Sequence, residues 1–440
     1  MNAPKRPTLD WIVAIILALG ILPSFTAGTR ALAELSPVFG IAGPLNAVKL
    51  GIPILLYYAW TRRKEMPKHA RTLGIAAVLI GSASTLVAAI PCEMPTAFLR
   101  DWAATLFGGL AGFCLCLLPK RPASFVLYAI AALVLGSAAL DLVSPSAVDW
   151  LLQNFFDPKT NAQYVSESKH RLLGGIFGKQ SLAKLLAWVP ALVALAWVRT
   201  RAVRTFPPGP ASAILALSFA CISLSLATTQ RGPFVAGIAG LAIAIVHYLR
   251  HHRVPSLSRK RLWAAFAGGL AICVAAAFLI LPTDILSVRL KSLLWLNQGV
   301  EPSSLGYTAD GNRDMRIRAT LFSLDKIRQN PLGDACIPWN DFNVYALEFS
   351  HAHSLILEQL RSRGWIWGIL HLLLWVLAWL RAWRDPTLEA TLILAAVTTT
   401  WVLGLFDHPW WVINQAMVLS FILFSGLACG KPTPEPRNQS

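Results

Sequence analysis

Two residue types in this chain carry chemistry suited to group transfer at a membrane: a histidine that opens an apolar run, and arginines placed between such runs. His351-Ala352-His353-Ser354 precedes Leu355, Ile356, Leu357 and Leu360, and the stretch closes at Gly364. Two histidines two residues apart on a helix point in different directions and make a poor metal pair. No Asp, Glu or Cys set stands at a spacing that would complete a zinc or magnesium site, so no metal and no cofactor is expected. A near-neutral imidazole can instead take a proton as general base. Arg231, in Thr228-Thr229-Gln230-Arg231-Gly232-Pro233, puts a cation at the boundary of two apolar spans. There it is either an anchor that snorkels to headgroups or a planar clamp for phosphate oxygens. Arg313, Arg316 and Arg318, followed by Lys326 and Arg328, form a second cluster. It reads as a solvated face or as a positive field for an anionic headgroup or pyrophosphate.

Weaker candidates surround these. Gly174 to Ser181 superficially resembles a phosphate loop, but the first glycine is misplaced and Ser181 does not directly follow Lys179. It is read as a Gly-rich turn into a span, which could line a polar cavity together with Arg171. Asp407, in the tight turn Asp407-His408-Pro409-Trp410-Trp411, is either a helix cap or a polar-site member. Gly232, Gly237 and Gly240 with Ala236 and Ala239 give a small-residue face for helix packing. Surface and packing roles are expected of His251, His252 and His371.

These residues need an apolar scaffold. Of 440 residues, 55% are hydrophobic and 14% charged, too apolar for an ordinary soluble chain. Apolar windows long enough to cross a bilayer lie near 10–28, 44–61, 72–91, 101–118, 123–142, 181–198, 210–228, 232–249, 262–282, 364–380, 388–406 and 411–428. The expectation is an all-α polytopic membrane protein of about twelve helices, a single domain over 1–430, whose first run is a retained helix rather than a cleaved signal. The net charge of +17 belongs mostly to alternate loops: Lys5–Arg6, Arg62–Lys64, Lys120–Arg121, Arg199–Arg204, Arg253–Arg261 and Arg381–Arg384. The positive-inside bias makes those loops and both termini cytoplasmic, so the charge does not call for nucleic acid. Cys114, Cys116, Cys221, Cys273 and Cys429 fall in apolar stretches as small buried thiols. Cys92 and Cys336 fall outside the spans on one side, either free or paired.

Two outer segments are long, about 143–180 and about 283–352, and long connections carry function or disorder. In the second, Ile317, Leu321, Leu324 and Ile327 recur at helical spacing before Asn330-Pro331-Leu332-Gly333, which predicts an amphipathic outer helix from Arg316 to Gln329. The tail, 431–440, is expected to be disordered and cytoplasmic.

Three elements together resemble the bacterial O-antigen ligases, within the superfamily that also holds O-antigen polymerases and protein O-oligosaccharyltransferases. Gln230-Arg231-Gly232-Pro233-Phe234 opening a span is similar to the family's Ser-Arg-Gly element. Arg316, followed fifteen residues later by Pro331-Leu332-Gly333, resembles its arginine, amphipathic helix and Pro-x-x-Gly arrangement. His353-Ser354-x-x-Leu357-x-x-Leu360-x-x-x-Gly364-x-x-x-Gly368 looks like its His-Asn/Ser helix at the end of the large periplasmic loop. Thr320 stands where many relatives carry an aromatic, and Asp334-Ala335 follows without a second glycine, so Arg318 stands beside Arg316 as a rival.

The resemblance implies a lipid-carrier-dependent (GT-C-like) glycosyltransferase of the inner membrane with its site facing the periplasm. Its donor would be undecaprenyl-pyrophosphate-linked O-antigen and its acceptor lipid A-core. The arginines would neutralise the pyrophosphate leaving group without a metal, and His353 would deprotonate the acceptor hydroxyl in a direct, inverting displacement. Trp365, Trp367, Trp410 and Trp411 would line a lipid entrance or form an aromatic belt. A transporter or flippase of lipid-linked glycans is the reading from another class.

Overall fold

The computed structural model describes residues 7–22, 45–89, 95–155, 175–203, 205–228, 231–252, 256–280, 320–333, 354–406 and 413–430, and the account below is of these. They are helical, with no strand among them. In chain order the helices are α1 (Pro7–Gly20), α2 (Ala47–Leu50), α3 (Ile52–Arg62), α4 (Lys68–Ala89), α5 (Pro95–Leu117), α6 (Lys120–Val143), α7 (Pro145–Phe155), α8 (Lys179–Arg201), α9 (Pro208–Ala227), α10 (Arg231–His251), α11 (Ser256–Ile280), α12 (320–329), α13 (Leu355–Arg384), α14 (Leu388–Phe406) and α15 (Ile413–Ala428). Seven are long and apolar enough to cross a membrane, and three shorter apolar helices, Pro7–Gly20, Trp102–Leu117 and Asn414–Ala428, accompany them. The chain is therefore an all-α protein of multi-pass membrane type.

Every apolar window holds a helix, but the window at 44–61 is not one span. Gly51 ends α2, and α3 begins again with Pro53 in its first turn. The physical reason is local: Pro53 has no N–H to return to the preceding turn, so a continuous helix would lose a bond there. Asn46 caps the short first piece, its side chain accepting from the Lys49 amide at 3.0 Å.

The basic clusters gather at one end of the bundle. Arg62 on α3 pairs with the buried Asp10 of α1, whose carboxylate also accepts from the Tyr58 hydroxyl at 2.8 Å. Arg199 at the end of α8 meets Glu389 at the start of α14 at 3.3 Å. Arg381 donates to the Leu427 carbonyl at 3.0 Å, and His69 lies 3.1 Å from the same oxygen. His247 is buried against Thr391 and the Trp383 carbonyl. His251 and His252, expected on a surface loop, instead complete the last turn of α10, where their rings contact His247 and Tyr248. Cys114, Cys221 and Cys429 are buried free thiols, and Cys116 is half-buried; Cys92 and Cys336 lie outside the described residues.

The opposite end is closed by turns and caps. Gly175–Phe177 forms one tight turn ahead of α8, with Gly175 and Gly178 at positive φ (53° and 72°). Its amides are held by the end of α6: Gly175 N–H donates to Asp141 at 2.7 Å and Ile176 N–H to Ser137 at 2.9 Å. The Gly-rich segment is thus a helix entry, as the sequence suggested. Gly240 on the small-residue face of α10 lies so close to Ala395 and Thr399 of α14 that a Cβ would stand 2.1 Å from the Thr399 hydroxyl, the close approach such faces permit.

Candidate functional site

On sequence the apolar-periodic stretch that opens α13 closes at Gly364, ahead of a span, and the structure divides α13 into two helices there. Ser354 caps the first, accepting from the Leu357 amide, and at Gly364 the backbone leaves helical geometry (φ 81°, ψ 175°). In a straight helix Leu360 and Gly368 would stand about 12 Å apart along the axis. Here a Cβ on Gly368 would meet the Leu360 side chain at 2.4 Å, and the Trp367 indole donates to Gln359. The segment 355–363 is therefore folded back on the span that follows it.

What permits the break is the outer loop. Trp365 N–H, which has lost its helical acceptor, donates instead to the Pro331 carbonyl at 2.9 Å. Its indole donates to the Ile327 carbonyl at 3.2 Å, satisfying an end group of α12. Gly333 (φ 100°) and Gly364 pack backbone to backbone, each occupying the space where the other would carry a side chain: a Cβ on Gly364 would lie 2.5 Å from the Leu332 carbonyl carbon, and one on Gly333 2.6 Å from the Gly364 nitrogen. Both glycines are required, since positive φ and that proximity exclude a Cβ.

Of the predicted amphipathic helix, Arg316 to Gln329, the described residues 320–329 are helical. Phe322, Ser323 and Ile327 are buried, whereas Leu321 and Leu324 are exposed together with Leu332, Trp365 and Ile366. In a membrane protein an outward apolar face is no contradiction, because lipid is the solvent there. Trp367, grouped with the outer aromatic edge on sequence, is buried instead, 5.3 Å from the ring of His371.

The folded-back segment is polar yet buried. Glu358, Gln359, Arg361, Ser362 and Arg363 are all under one-tenth exposed. Arg361 and Glu358 form an ion pair one turn apart, at 2.5 and 3.3 Å. Arg363 donates to Thr105 of α5 at 2.6 Å, and its guanidinium lies 5.7 Å from the Trp367 ring centroid. Buried charges are costly unless paired and hydrogen-bonded, and the contacts within this segment and with α5 meet that cost. Sequence reading passed over the segment, although Glu358, Arg361 and Arg363 in an otherwise apolar run were a visible signal.

α14 serves as a ruler for the outer end. Gly404 abuts Leu355, the first residue of the folded-back helix, within 3.0 Å of a built Cβ. One turn inward, Thr400 accepts from the Trp188 indole of α8 at 3.1 Å. Between them α13 and α14 leave only a narrow crevice of about 20 Å³, lined by Leu355, Gly368, His371, Trp375, Thr400 and Gly404. α10 runs antiparallel to α14, with Gly240 beside Ala395 and Thr399. Counting outward from that contact brings Arg231, the first residue of α10, to the level of Gly404 and beyond. The start of α10 and the capped start of α13 thus reach the same level at that end of α14, on different faces of it.

Of the candidates named on sequence, Arg231 is described by its backbone alone. Arg171, Arg313, Arg316, Arg318, His353 and Asp407, with Trp410 and Trp411, lie outside the described residues. In sequence His353 is the residue before Ser354, and Arg318 and Arg316 stand two and four residues before the start of α12. Among the described residues no three His, Cys, Asp or Glu side chains gather to hold a metal. No protein-family model matches the chain, and no curated protein matches it.

Proposed function

We propose that the protein is an O-antigen ligase: an inner-membrane glycosyltransferase of the lipid-carrier-dependent (GT-C) type with about twelve spans, acting at the periplasmic face. It transfers polysaccharide from undecaprenyl-pyrophosphate to a sugar hydroxyl of lipid A-core. The observation that supports the reading is the common level that these segments reach at one end of α14. α12, which follows Arg313, Arg316 and Arg318, is docked on the break of α13, while the helix that follows His353 meets Gly404 near the level where Arg231 starts α10. Cations on one side and a base on the other are what the transfer needs: Arg231 with Arg316 or Arg318 neutralises the departing pyrophosphate, and His353 takes the proton of the attacking hydroxyl. Loss of the lipid phosphate and gain of the glycosidic bond occur in one inverting step. Neither a metal nor a covalent intermediate takes part.

Depth along the membrane favours an enzyme over a flippase. From Gly364 to Arg384 α13 measures about 30 Å at the helical rise, close to one hydrocarbon thickness. The break therefore lies at one end of a full span, with the folded-back charges beside its first turns, whereas transporters interrupt their helices near the midplane. The test is incubation of the purified protein with lipid-linked polysaccharide and candidate acceptors, followed by product analysis. Ligation to lipid A-core supports the proposal; extension of a second lipid-linked repeat makes the protein a polymerase, a glycosylated protein product makes it a protein O-oligosaccharyltransferase, and movement of the donor across vesicles without transfer makes it a flippase.

A further inference from the structure

Among the buried polar atoms that have no hydrogen-bond partner in the chain are Ser82 Oγ on α4, Gln359 Nε2 in the folded-back segment and Gln415 Oε1 on α15. All three residues are less than one-tenth exposed. The Gln359 amide has a fixed orientation, because the Trp367 indole can only donate and is bonded to its Oε1. What remains on Gln359 is therefore a donor, what remains on Gln415 is an acceptor, and the Ser82 hydroxyl is both. A buried polar group left unpaired costs the full loss of its hydration, so three of them at one place call for an explanation.

Helix register brings them to one level. α13 and α15 run parallel, with Ala378 beside Gly426 and Arg381 on the Leu427 carbonyl. Trp367 and Gln415 each stand eleven residues before that first contact, which is close to three whole turns, so Gln415 is level with Trp367 on the side of α15 that faces α13. α4 runs antiparallel to both: Gly81 abuts the Trp367 ring, Gly74 abuts Phe424, and His69 lies by the Leu427 carbonyl. Ser82 is thereby level with Gln415. On its other side α4 packs on α5, where Gly109 meets Val78. One turn outward from that contact Thr105 and Ser82 face each other, and Arg363 of the folded-back segment donates to Thr105 at 2.6 Å. Four elements thus bring buried polar side chains to the level of Trp367.

We propose that this level is a binding site for ordered water, which accepts from Gln359 Nε2, donates to Gln415 Oε1 and shares a hydrogen bond with Ser82 Oγ. The mixture of one donor, one acceptor and one hydroxyl selects the ligand. A phosphate only accepts and would set an anion against the Gln415 carbonyl, and a metal ion would be repelled by the Gln359 amide hydrogens. Water does both, and three polar partners are what a buried water ordinarily has. Bound there it joins the folded-back segment to α4 and α15 and so helps to hold that segment in place, whatever reaction the protein performs.

The experiment is X-ray radiolytic footprinting of the full-length protein in lipid nanodiscs, in which hydroxyl radicals formed from bound water oxidise the side chains beside it, together with a high-resolution cryomicroscopy map made without added saccharide. The reporter is Trp367, which is buried. In wild type the map should show a water-sized peak between Gln359 and Gln415, and Trp367 should be oxidised despite its burial. Ser82→Ala and Gln415→Leu each remove a partner of the water. Each should reduce Trp367 oxidation several-fold and lower the melting temperature by about 2–4 °C, the worth of one net hydrogen bond. The double variant should lose less than the sum, because both residues hold the same water. Ser82→Ala removes a single atom, so the comparison holds if Gln415→Leu does not accumulate. Trp367 oxidation that neither variant changes, or a melting temperature that both variants raise, shows a dry site and overturns the inference. A peak larger than water, or one that appears only after a lipid-linked glycan or a sugar acceptor is added, assigns the site to a saccharide hydroxyl and overturns it as well.

Discussion

Replacing Gly364 by alanine tests whether the outer loop is held on α13 by the pair of glycines. The cost has three parts. An L-residue at φ 81° carries about 1–2 kcal/mol of backbone strain. The new Cβ would stand 2.5–2.7 Å from the Leu332 carbonyl and the Pro331 oxygen, and these are backbone atoms that cannot swing aside. Relieving the contact pulls Pro331 away from Trp365 N–H, now at 2.9 Å, with a net loss of about 0.5–1.5 kcal/mol. Docking of the loop should therefore weaken by about 2–4 kcal/mol, which is roughly 30- to 1,000-fold in the docked-to-undocked ratio. Because the two glycines form one contact, Gly333→Ala should cost about as much, and the double variant should cost much less than the sum.

The assay is maleimide labelling of a cysteine placed at Ser323, buried between α12 and the bundle, alongside polysaccharide transfer on the same membranes. In an otherwise unaltered chain the cysteine should react slowly. With Gly364→Ala or Gly333→Ala it should react at least tenfold faster while transfer falls, since Arg316 and Arg318 lie just upstream of α12. Slow labelling together with normal transfer in both alanine variants would refute the reasoning.

Four other outcomes are expected. His353→Ala should lower transfer about 10²–10⁴-fold, the usual worth of a general base, in a protein that still inserts and accumulates; His351→Ala should be milder, and near-normal ligation by His353→Ala would sink the assignment. Arg231→Lys should be severely impaired because a point charge cannot reproduce a bidentate clamp, and wild-type rates would return Arg231 to an anchoring role. Transfer should survive EDTA, and loss that magnesium or manganese restores would contradict charge neutralisation by arginines. Glu358→Ala should destabilise the fold by about 3–5 kcal/mol by leaving Arg361 without its carboxylate, whereas the paired change Glu358→Leu with Arg361→Met should recover much of that; equal melting temperatures for the single and double variants would show that the pair carries no weight.

Hydropathy alone located the helices, because a bilayer forces every apolar run of sufficient length to satisfy its own backbone. It misjudged the window at 44–61, where Gly51-Ile52-Pro53 interrupts the helix, since an average over a window is blind to one missing N–H. Gly333 and Gly364 were both legible as breakers. That they break the chain in order to meet each other was not, because a contact between two loops leaves no local pattern. The apolar spacing in α12 did not say which face turns in: Leu321 and Leu324 are exposed and Ile327 is buried, and only the position of the helix relative to lipid decides that.

The placement of charge along the bundle decides which chemistry the scaffold can host. At the basic end the ionic contacts, Arg62 with Asp10 and Arg199 with Glu389, pair a cation with a carboxylate across neighbouring helices, and their effect is to hold helix ends together. At the other end the buried charges of the folded-back segment are likewise held, Arg361 by Glu358 and Arg363 by Thr105 of α5. On the proposed function the donor's pyrophosphate would therefore fall to the arginines at the start of α10 and ahead of α12, and these would stabilise the charge that builds on the leaving oxygen more than they stabilise the ground state. A flippase has no use for that difference, since it must release at one face what it bound at the other.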